Sequence, residues 1–206
     1  MANTQWRVLL LGGASGSGKS TVAERLGLHL GIPWLQVDDF RLALQYSRVS
    51  LPENTEALYF LERTSEVWRL SPARLCDALI AVSEVMAPAI DIVVRNHVDT
   101  DARCLIEGDG ILPSLLARSG VRERAKRGLV RAVFLVEPDE DTILSNSAAR
   151  ARHNPGLAAA DLHTEAQAKW LYGQWLRAEA AANDVPVVEP RPWVTLPDRI
   201  LAAAEE

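Results

Sequence analysis

Residues 13–20 read Gly-Ala-Ser-Gly-Ser-Gly-Lys-Ser, which fits the spacing G-x-x-x-x-G-K-[ST]. Glycines at this spacing let the backbone turn sharply and direct its N–H groups toward a bound polyphosphate. The apolar run 7–11 before them predicts a buried strand, and the apolar side chains at every fourth position of 21–30 predict a helix. A helix N-terminus adds positive partial charge beside the same phosphates. The sequence therefore predicts a binding site for a nucleoside triphosphate.

Two side chains of this loop have predicted tasks of their own. Lys19 would reach the β- and γ-phosphates, and the hydroxyl of Ser20 would ligate Mg²⁺. We expect ATP and Mg²⁺ as cofactors. The Asn-Lys-x-Asp guanine signature of GTPases has no match, since residues 96–99 read Asn-His-Val-Asp and lack the lysine. The predicted nucleotide contacts of the loop are Gly13, Ala14, Ser15, Gly16, Ser17, Gly18, Lys19, Ser20 and Thr21.

The composition limits the classes of protein to which the chain can belong. Its net charge of −5 argues against a nucleic-acid surface, which needs a basic patch. No apolar run approaches the roughly 20 residues that cross a bilayer, and the N-terminus lacks the features of a signal peptide. The 2 cysteines form no C-x-x-C pair. We therefore expect a cytoplasmic protein without a disulfide or a zinc site.

Five short apolar runs alternate with helical segments along the chain. The runs are 7–11, 32–37, 103–108, 129–136 and 185–188. Such alternation predicts an α/β fold, in which a five-stranded parallel sheet is covered by helices on both faces as a three-layer α/β/α sandwich. The predicted helices are 21–30, 50–68, 72–95 with a kink at Pro88, 113–118, 138–150, 164–182 and 196–204. We expect one domain over 1–206, with a helical insertion at 42–100 and a lid region at 138–160.

Two carboxylates follow predicted strands, beyond whose carboxyl ends such sheets bind their ligands. Asp38 closes the second run, where it could orient and deprotonate a hydroxyl group for phosphoryl transfer. Asp39 is the alternative base, and the pair could also merely cap a helix. Glu107 closes the third run, where it could hold Mg²⁺ or orient the molecule that receives the phosphoryl group. Asp109 is an alternative to Glu107 for that task. The other interpretation is that Glu107 only ends the strand.

Two further groups are candidates for contacts with the nucleotide. Arg150 and Arg152 follow the fourth predicted strand by one helix and could close over the triphosphate, with Arg150 neutralising charge that develops during transfer. Arg191 and Trp193 follow the last strand, where either could stack on adenine. The alternatives are a solvated helix surface for the first pair and a plain proline-rich connection for the second.

The candidates for contact with the molecule that receives phosphate are Asp39, Arg41, Arg95, His97 and Asp109. Arg41 follows Asp38 by three residues, so one helical turn would place both over the same cleft. Arg95 ends the long predicted helix beside His97 and could return to the strand ends. A guanidinium binds phosphate or carboxylate through two parallel hydrogen bonds. The two arginines therefore predict an acceptor with an anionic group.

The motifs Gly-Ala-Ser-Gly-Ser-Gly-Lys-Ser, Val-Asp-Asp-Phe-Arg and Ile-Glu-Gly-Asp-Gly together resemble those of the P-loop small-molecule kinases. That group includes uridine kinase, phosphoribulokinase, 2-phosphoglycerate kinase-like and nucleoside monophosphate kinase-like proteins. The resemblance implies the P-loop NTPase fold and assigns the catalytic acid to Asp38, within Asp-x-Phe. It also matches Glu107 to the Glu-Gly of 2-phosphoglycerate kinase-like proteins, and the lid arginines to Arg150 and Arg152.

The expected function is ATP- and Mg²⁺-dependent phosphorylation of a hydroxyl group on a small soluble metabolite. The expected partner is that acceptor, with no nucleic acid and no membrane, and the expected assembly is a monomer or a homodimer. One alternative is a regulatory nucleotide-binding NTPase without an acceptor. The other is a kinase acting on a nucleoside, an antibiotic or a nucleotide-sugar.

Overall fold

The computed structural model describes residues 6–47, 50–52, 54–151 and 158–205, with the backbone alone for 150 and 151. Five strands form one parallel sheet in the order β2-β3-β1-β4-β5, which confirms the predicted α/β fold. The strands are β1 Val8–Gly12, β2 Trp34–Gln36, β3 Cys104–Gly108, β4 Val130–Leu135 and β5 Val187–Val188.

Eight α-helices are described, and they surround the sheet. They are α1 Lys19–Leu30, α2 Val37–Tyr46, α3 Phe60–Arg63, α4 Pro72–Asp99, α5 Ser119–Lys126, α6 Glu140–Ala151, α7 Ala159–Ala182 and α8 Leu196–Glu205. Short 3₁₀ turns cover Glu56–Tyr59, Val67–Arg69 and Pro113–Ala117. Among the described residues, no helix is long and apolar enough to cross a membrane.

The sheet is buried on both faces, as the three-layer prediction requires. On one face, Met86 and Ile90 of α4 and Leu176 of α7 join a core cluster with strand residues. On the other face, Leu26 of α1 and Ile200 of α8 join a second cluster. Strands buried on both sides read as continuous apolar runs, which is why the sequence located them.

The register of the strands brings three loops to one edge of the sheet. In the centre, Leu11 of β1 pairs with Glu107 of β3, and Gly12 pairs with Gly108. On the far side of β3, Gln36 of β2 pairs with Glu107. The segments that leave the carboxyl ends of β1, β2 and β3 are therefore neighbours.

The long helix α4 begins with a cap that its sequence specifies. The hydroxyl of Ser71 accepts a hydrogen bond from the backbone N–H of Arg74 at 3.3 Å, and Pro72 occupies the first turn. The helix continues through Pro88 and ends at Asp99, one turn later than predicted.

The structure differs from the predicted elements at several positions. The second strand ends at Gln36, and Asp38 and Asp39 lie in the first turn of α2. No single helix spans the described part of 50–68, where the short turns and a positive φ of 50° at Glu66 interrupt it. Helix α5 was not predicted, and α7 begins at Ala159 rather than at residue 164.

Candidate active site

The loop between β1 and α1 has the shape that its glycines predict. Gly16 and Gly18 have φ angles of 93° and 92°, a region that favours glycine. Gly18 directly precedes α1, so the loop ends at a helix N-terminus. A Cβ atom at Gly18 would collide with the indole ring of Trp193, so that ring covers the end of the loop.

Lys19 lies inside this loop. Its side chain is buried, and its Nζ donates a hydrogen bond to the carbonyl oxygen of Ala14 at 3.0 Å. A buried ammonium on the inner side of the loop provides a fixed positive charge where a phosphate group would lie.

Glu107 is a buried carboxylate beside this loop, with only 3% of its surface exposed. Burial raises the pKa of its carboxyl group, while the charge of Lys19 and a hydrogen bond from Ser20 lower it. The negative charges of Asp38 and Asp109 raise the same pKa further. Lys19, Ser20, Asp38 and Asp109 therefore all lie close enough to Glu107 to change the pKa of its carboxyl group.

The residues present fit a phosphate group and Mg²⁺. A small polar cavity of about 40 Å³ lies at this edge. Its lining residues are Ser15, Lys19, Ser20, Gln36, Asp38, Glu107, Gly108 and Asp109. The hydroxyl of Ser17, in the loop itself, is buried and has no hydrogen-bond partner. Mg²⁺ commonly takes one or two protein oxygens and completes its shell with phosphate oxygens and water, and Ser20 and Glu107 offer such oxygens.

A second, larger cavity of about 240 Å³ adjoins the polar one. Ser15, Asp38 and Asp109 line both cavities. The remaining lining residues of the larger cavity are Val37, Arg41, Leu58, Leu61, Trp68, Leu75, Leu79, Val82, Ser83, Met86, Gly110, Glu165, Ala168, Lys169 and Tyr172. The structure thus forms one cavity suited to phosphate and one suited to a small organic molecule, with a shared polar boundary.

Asp38, on that boundary, pairs with Arg41 of the larger cavity, as their spacing predicted. Nη2 of Arg41 is 3.2 Å from Oδ1 of Asp38, and Nη1 of Arg41 donates to Gln45 at 3.1 Å. Asp39 follows Asp38 in the same helical turn but lines neither cavity. Val37 fixes the position of α2, because its side chain packs against Gly108 and Gly110 so closely that a Cβ atom at either glycine would contact it.

Sequence reasoning missed the residues that α7 contributes to the larger cavity. Nζ of Lys169 lies 2.6 Å from Oε1 of Glu165, and the two side chains are 17% and 18% exposed. The spacing of four residues indicates an ion pair on a helix. Only the packing of α7 against α4 reveals that this pair lines a cavity.

A buried polar network joins α4, α7 and the loop after β3. The hydroxyl of Tyr172 donates to the backbone oxygen of Asp109 at 2.5 Å and lies 2.9 Å from the hydroxyl of Ser83. Burial raises the pKa of the Tyr172 hydroxyl well above its ordinary value, so the group stays protonated and can donate. The network therefore fixes the backbone of Asp109, one of the three residues that line both cavities.

Arg95 and His97 line neither cavity, so the structure does not bring these two candidates together with Asp38 and Arg41. Nε of Arg95 is 3.3 Å from Oδ1 of Asp91, and both side chains lie against Gly120 of α5. Nδ1 of His97 is 3.1 Å from the carbonyl oxygen of Ala102. The end of α4 leads directly into β3, so it must lie at the opposite edge of the parallel sheet from Glu107.

Trp193 lies near the phosphate loop, and its role with adenine stays a prediction. Its ring packs on Gly18 and is half-buried in the core cluster of α1 and α8. Arg191 is exposed. The guanidinium of Arg199 holds this loop by donating to the backbone oxygens of Glu189, Pro190 and Pro192.

Helix α6 contacts the phosphate loop. Nδ2 of Asn146 donates to the backbone oxygen of Gly16 at 2.8 Å, and Ile143 lies beside the same glycine. Arg150 belongs to α6, but its side chain and the whole of Arg152 lie outside the described residues. Their predicted contacts with the triphosphate stay predictions.

Comparison with known proteins agrees with this fold. Residues 8–173 match the family described as AAA domain. A shikimate kinase from Acinetobacter baumannii, solved with shikimate, is 17% identical, with a TM-score of 0.52 over 97% of this chain and 93% of that one. A gluconokinase from Sinorhizobium meliloti 1021 is 16% identical, with a TM-score of 0.45 over 98% and 93%.

A shikimate kinase from Aquifex aeolicus is 18% identical, with a TM-score of 0.47 over 96% of each chain. No curated protein sequence matches significantly. The similarity to the shikimate kinase from Acinetobacter baumannii shows the fold. The match to the AAA domain family covers residues 8–173, which is most of the chain.

Proposed function

Because the chain belongs to the AAA domain family of P-loop NTPases, we propose that it is an ATP- and Mg²⁺-dependent phosphotransferase that acts on a hydroxyl group of a small molecule. The observation that carries this proposal is the pair of adjoining cavities, with Ser15, Asp38 and Asp109 on their shared boundary. A nucleotide switch needs only the phosphate site. A kinase needs a second site whose occupant meets the terminal phosphate.

In this proposal the residues around the smaller cavity hold the nucleotide and the metal. Lys19 and the backbone N–H groups of 15–20 bind the phosphates, and Ser20 and Glu107 provide oxygens for Mg²⁺. Bound ATP supplies the phosphoryl group that is transferred. Helix α6, whose Asn146 bonds to Gly16, would bring Arg150 to the triphosphate one helical turn later.

Asp38 is the proposed base. Its carboxylate lies on the boundary, where it can accept the proton of an acceptor hydroxyl and direct the oxygen toward the phosphate site. The guanidinium of Arg41 contacts Oδ1 of Asp38 at 3.2 Å, which orients the carboxylate. For the rest of the reaction the protein positions the two reactants and stabilises the charge on the transferred phosphoryl group, as is usual in phosphoryl transfer.

The test is whether ATP consumption depends on an acceptor. We expect ADP to form slowly with Mg·ATP alone and much faster when a suitable alcohol is added, with one phosphorylated product for each ADP. ³¹P NMR of the mixture identifies the phosphate ester. Hydrolysis to ADP and inorganic phosphate at one rate, whatever alcohol is present, would instead support the regulatory NTPase.

The expected anionic acceptor has weaker support than the kinase activity. Of the two arginines from which an anionic acceptor was inferred, only Arg41 lines the larger cavity, and that arginine already contacts Asp38. The chemical class of the acceptor must therefore be inferred from the whole cavity.

A further inference from the structure

On the premise of the kinase function proposed above, we infer that the acceptor is an uncharged alcohol with an apolar body about the size of one substituted ring. Its hydroxyl group would lie at the boundary with Asp38. Its apolar body would fill the part of the larger cavity formed by the turn Glu56–Tyr59, α3, the turn Val67–Arg69 and α4.

The volume of the cavity sets the size of the acceptor. The cavity measures about 240 Å³. An engineered apolar cavity of about 150 Å³ binds benzene, whereas drug-sized ligands occupy pockets of about 300 Å³ or more. A single ring with a short polar substituent therefore fits, and a nucleotide-sugar or a macrolide-sized molecule does not.

The wall of the cavity sets its polarity. Four helical segments contribute the apolar part of the wall, namely the turn Glu56–Tyr59, α3, the turn Val67–Arg69 and α4. The residues of this apolar wall are Leu58, Leu61, Trp68, Leu75, Leu79, Val82 and Met86. A hydroxyl group turned toward that wall would lose its water without gaining a partner, which costs about 1–3 kcal/mol in proteins. A polyhydroxylated body is therefore disfavoured.

The charges of the cavity disfavour an anionic acceptor. Its lining includes three carboxylates and two cations, and each cation is already paired. Lys169 contacts Glu165, and Arg41 contacts Asp38. An anionic group would have to compete with one of these partners while being repelled by Asp109. An uncharged acceptor leaves both pairs intact.

Matched probes test this inference directly. Phenylethane-1,2-diol and mandelate share a phenyl ring and a secondary hydroxyl group, and the diol carries a hydroxymethyl group where mandelate carries a carboxylate. Xylitol is a polyol of similar size without an apolar body. Binding is measured by calorimetry in the presence of Mg·ADP, which needs no turnover, and transfer is then measured with Mg·ATP.

We expect the diol to bind about tenfold or more tightly than mandelate or xylitol, because an unpaired buried polar group costs about that factor or more. Equal or tighter binding of mandelate or of xylitol would overturn the inference. Preferential binding of the diol without transfer to it or to any other alcohol would instead overturn the proposed kinase function, so the two failures are distinguishable.

Two variants test the apolar wall and the ion pair separately. Leu61 is 41% exposed, so Leu61→Ser should fold normally, and we expect it to weaken binding of the diol by about tenfold. The matched control is Leu28→Ser on α1, where a 79% exposed leucine lies outside the cavity. Equal effects of the two substitutions would count against the apolar wall.

The double variant Glu165→Gln/Lys169→Gln replaces both charged groups of the pair by uncharged amides. If the acceptor is uncharged, we expect the variant to keep the preference for the diol over mandelate, because neither member of the pair binds a charge of the acceptor. Loss or reversal of that preference would show that the pair determines the charge of the acceptor, which contradicts the inference.

Discussion

The carboxyl group of Glu107 is buried beside Lys19 and Ser20, and this burial couples its charge to the stability of the fold. Since burial raises the pKa of Glu107 in the folded protein, the folded state binds this proton more tightly than the unfolded state does. The stabilisation by the proton is therefore fully present at pH values below the ordinary pKa of a glutamate. It is lost as the pH rises through the raised pKa.

Glu107→Gln should remove this pH dependence. We expect the free energy of unfolding of the wild type, without nucleotide or metal, to fall relative to that of the variant as the pH rises from acidic to neutral. Urea unfolding at a series of pH values measures both. Parallel profiles for the two proteins would show that Glu107 is not desolvated in the folded state.

Lys19 should matter for nucleotide binding and little for folding. Lys19→Met keeps the length of the side chain and removes its charge, and we expect ATP affinity to fall by about 10–10²-fold, because a hydrogen bond between charged groups contributes about 1.5–3 kcal/mol. Lys126→Met is the control, because Lys126 is an exposed lysine of α5 paired with Glu123. Titration with a fluorescent ATP analogue gives both affinities. Unchanged ATP affinity in Lys19→Met would refute the phosphate role.

Among the elements, the packing of α7 against α4 and the loop after β3 shapes the boundary between the two cavities. The hydroxyl of Tyr172 connects all three, through Ser83 and the backbone oxygen of Asp109. This contact positions Asp109, which lies on the boundary between the cavities. Tyr172 itself is fully buried and acts through the loop.

Tyr172→Phe should therefore affect the acceptor more than the nucleotide. We expect a loss of about 1–3 kcal/mol in stability, because the backbone oxygen of Asp109 loses a buried partner. We also expect a rise in the KM of the acceptor, while the KM of ATP stays near the wild-type value. Chemical denaturation and steady-state kinetics measure these effects. Equal changes in both KM values would indicate general loosening of the fold instead.

The sequence predicted the elements whose signals are local. The buried strands β1, β3 and β4 are continuous apolar runs, and the phosphate loop is defined by its own glycines. The start of α2 could not be predicted, because it depends on the contact of Val37 with Gly108, a residue distant in sequence.

The site shows the same division between local and long-range signals. Asp38 and Arg41 share a helical turn, and their pairing followed from spacing. The Glu165–Lys169 pair lines the cavity only because α7 packs on α4. The position of Arg95 and His97 follows from the topology, since a helix that leads into a parallel strand ends at the edge opposite the carboxyl ends of the strands.

At the scale of the whole molecule, the two cavities connect elements from both ends of the chain. Residues of the phosphate loop, α2, α4, the loop after β3 and α7 meet there. A ligand that binds only this folded arrangement must stabilise the whole fold by mass action.

Mg·ATP should accordingly raise the Tm of the wild type. A ligand present at 100 times its Kd contributes about 2.7 kcal/mol to the free energy of unfolding. We expect this shift in the wild type and in Lys126→Met, and its loss in Lys19→Met. Differential scanning calorimetry with and without Mg·ATP provides the measurement. An equal shift in all three proteins would mean that the nucleotide binds elsewhere.

Acceptor-dependent phosphoryl transfer by Asp38→Asn and Asp39→Asn, compared with the wild type, tests whether Asp38 is the base. We expect Asp38→Asn to bind Mg·ATP normally but to lose about 10²–10⁴-fold in kcat, the usual range for loss of a general base. Asp39→Asn, whose side chain lines neither cavity, should transfer at nearly the wild-type rate. A mild effect of Asp38→Asn, or a larger loss in Asp39→Asn, would contradict the proposed reaction at the boundary of the two cavities.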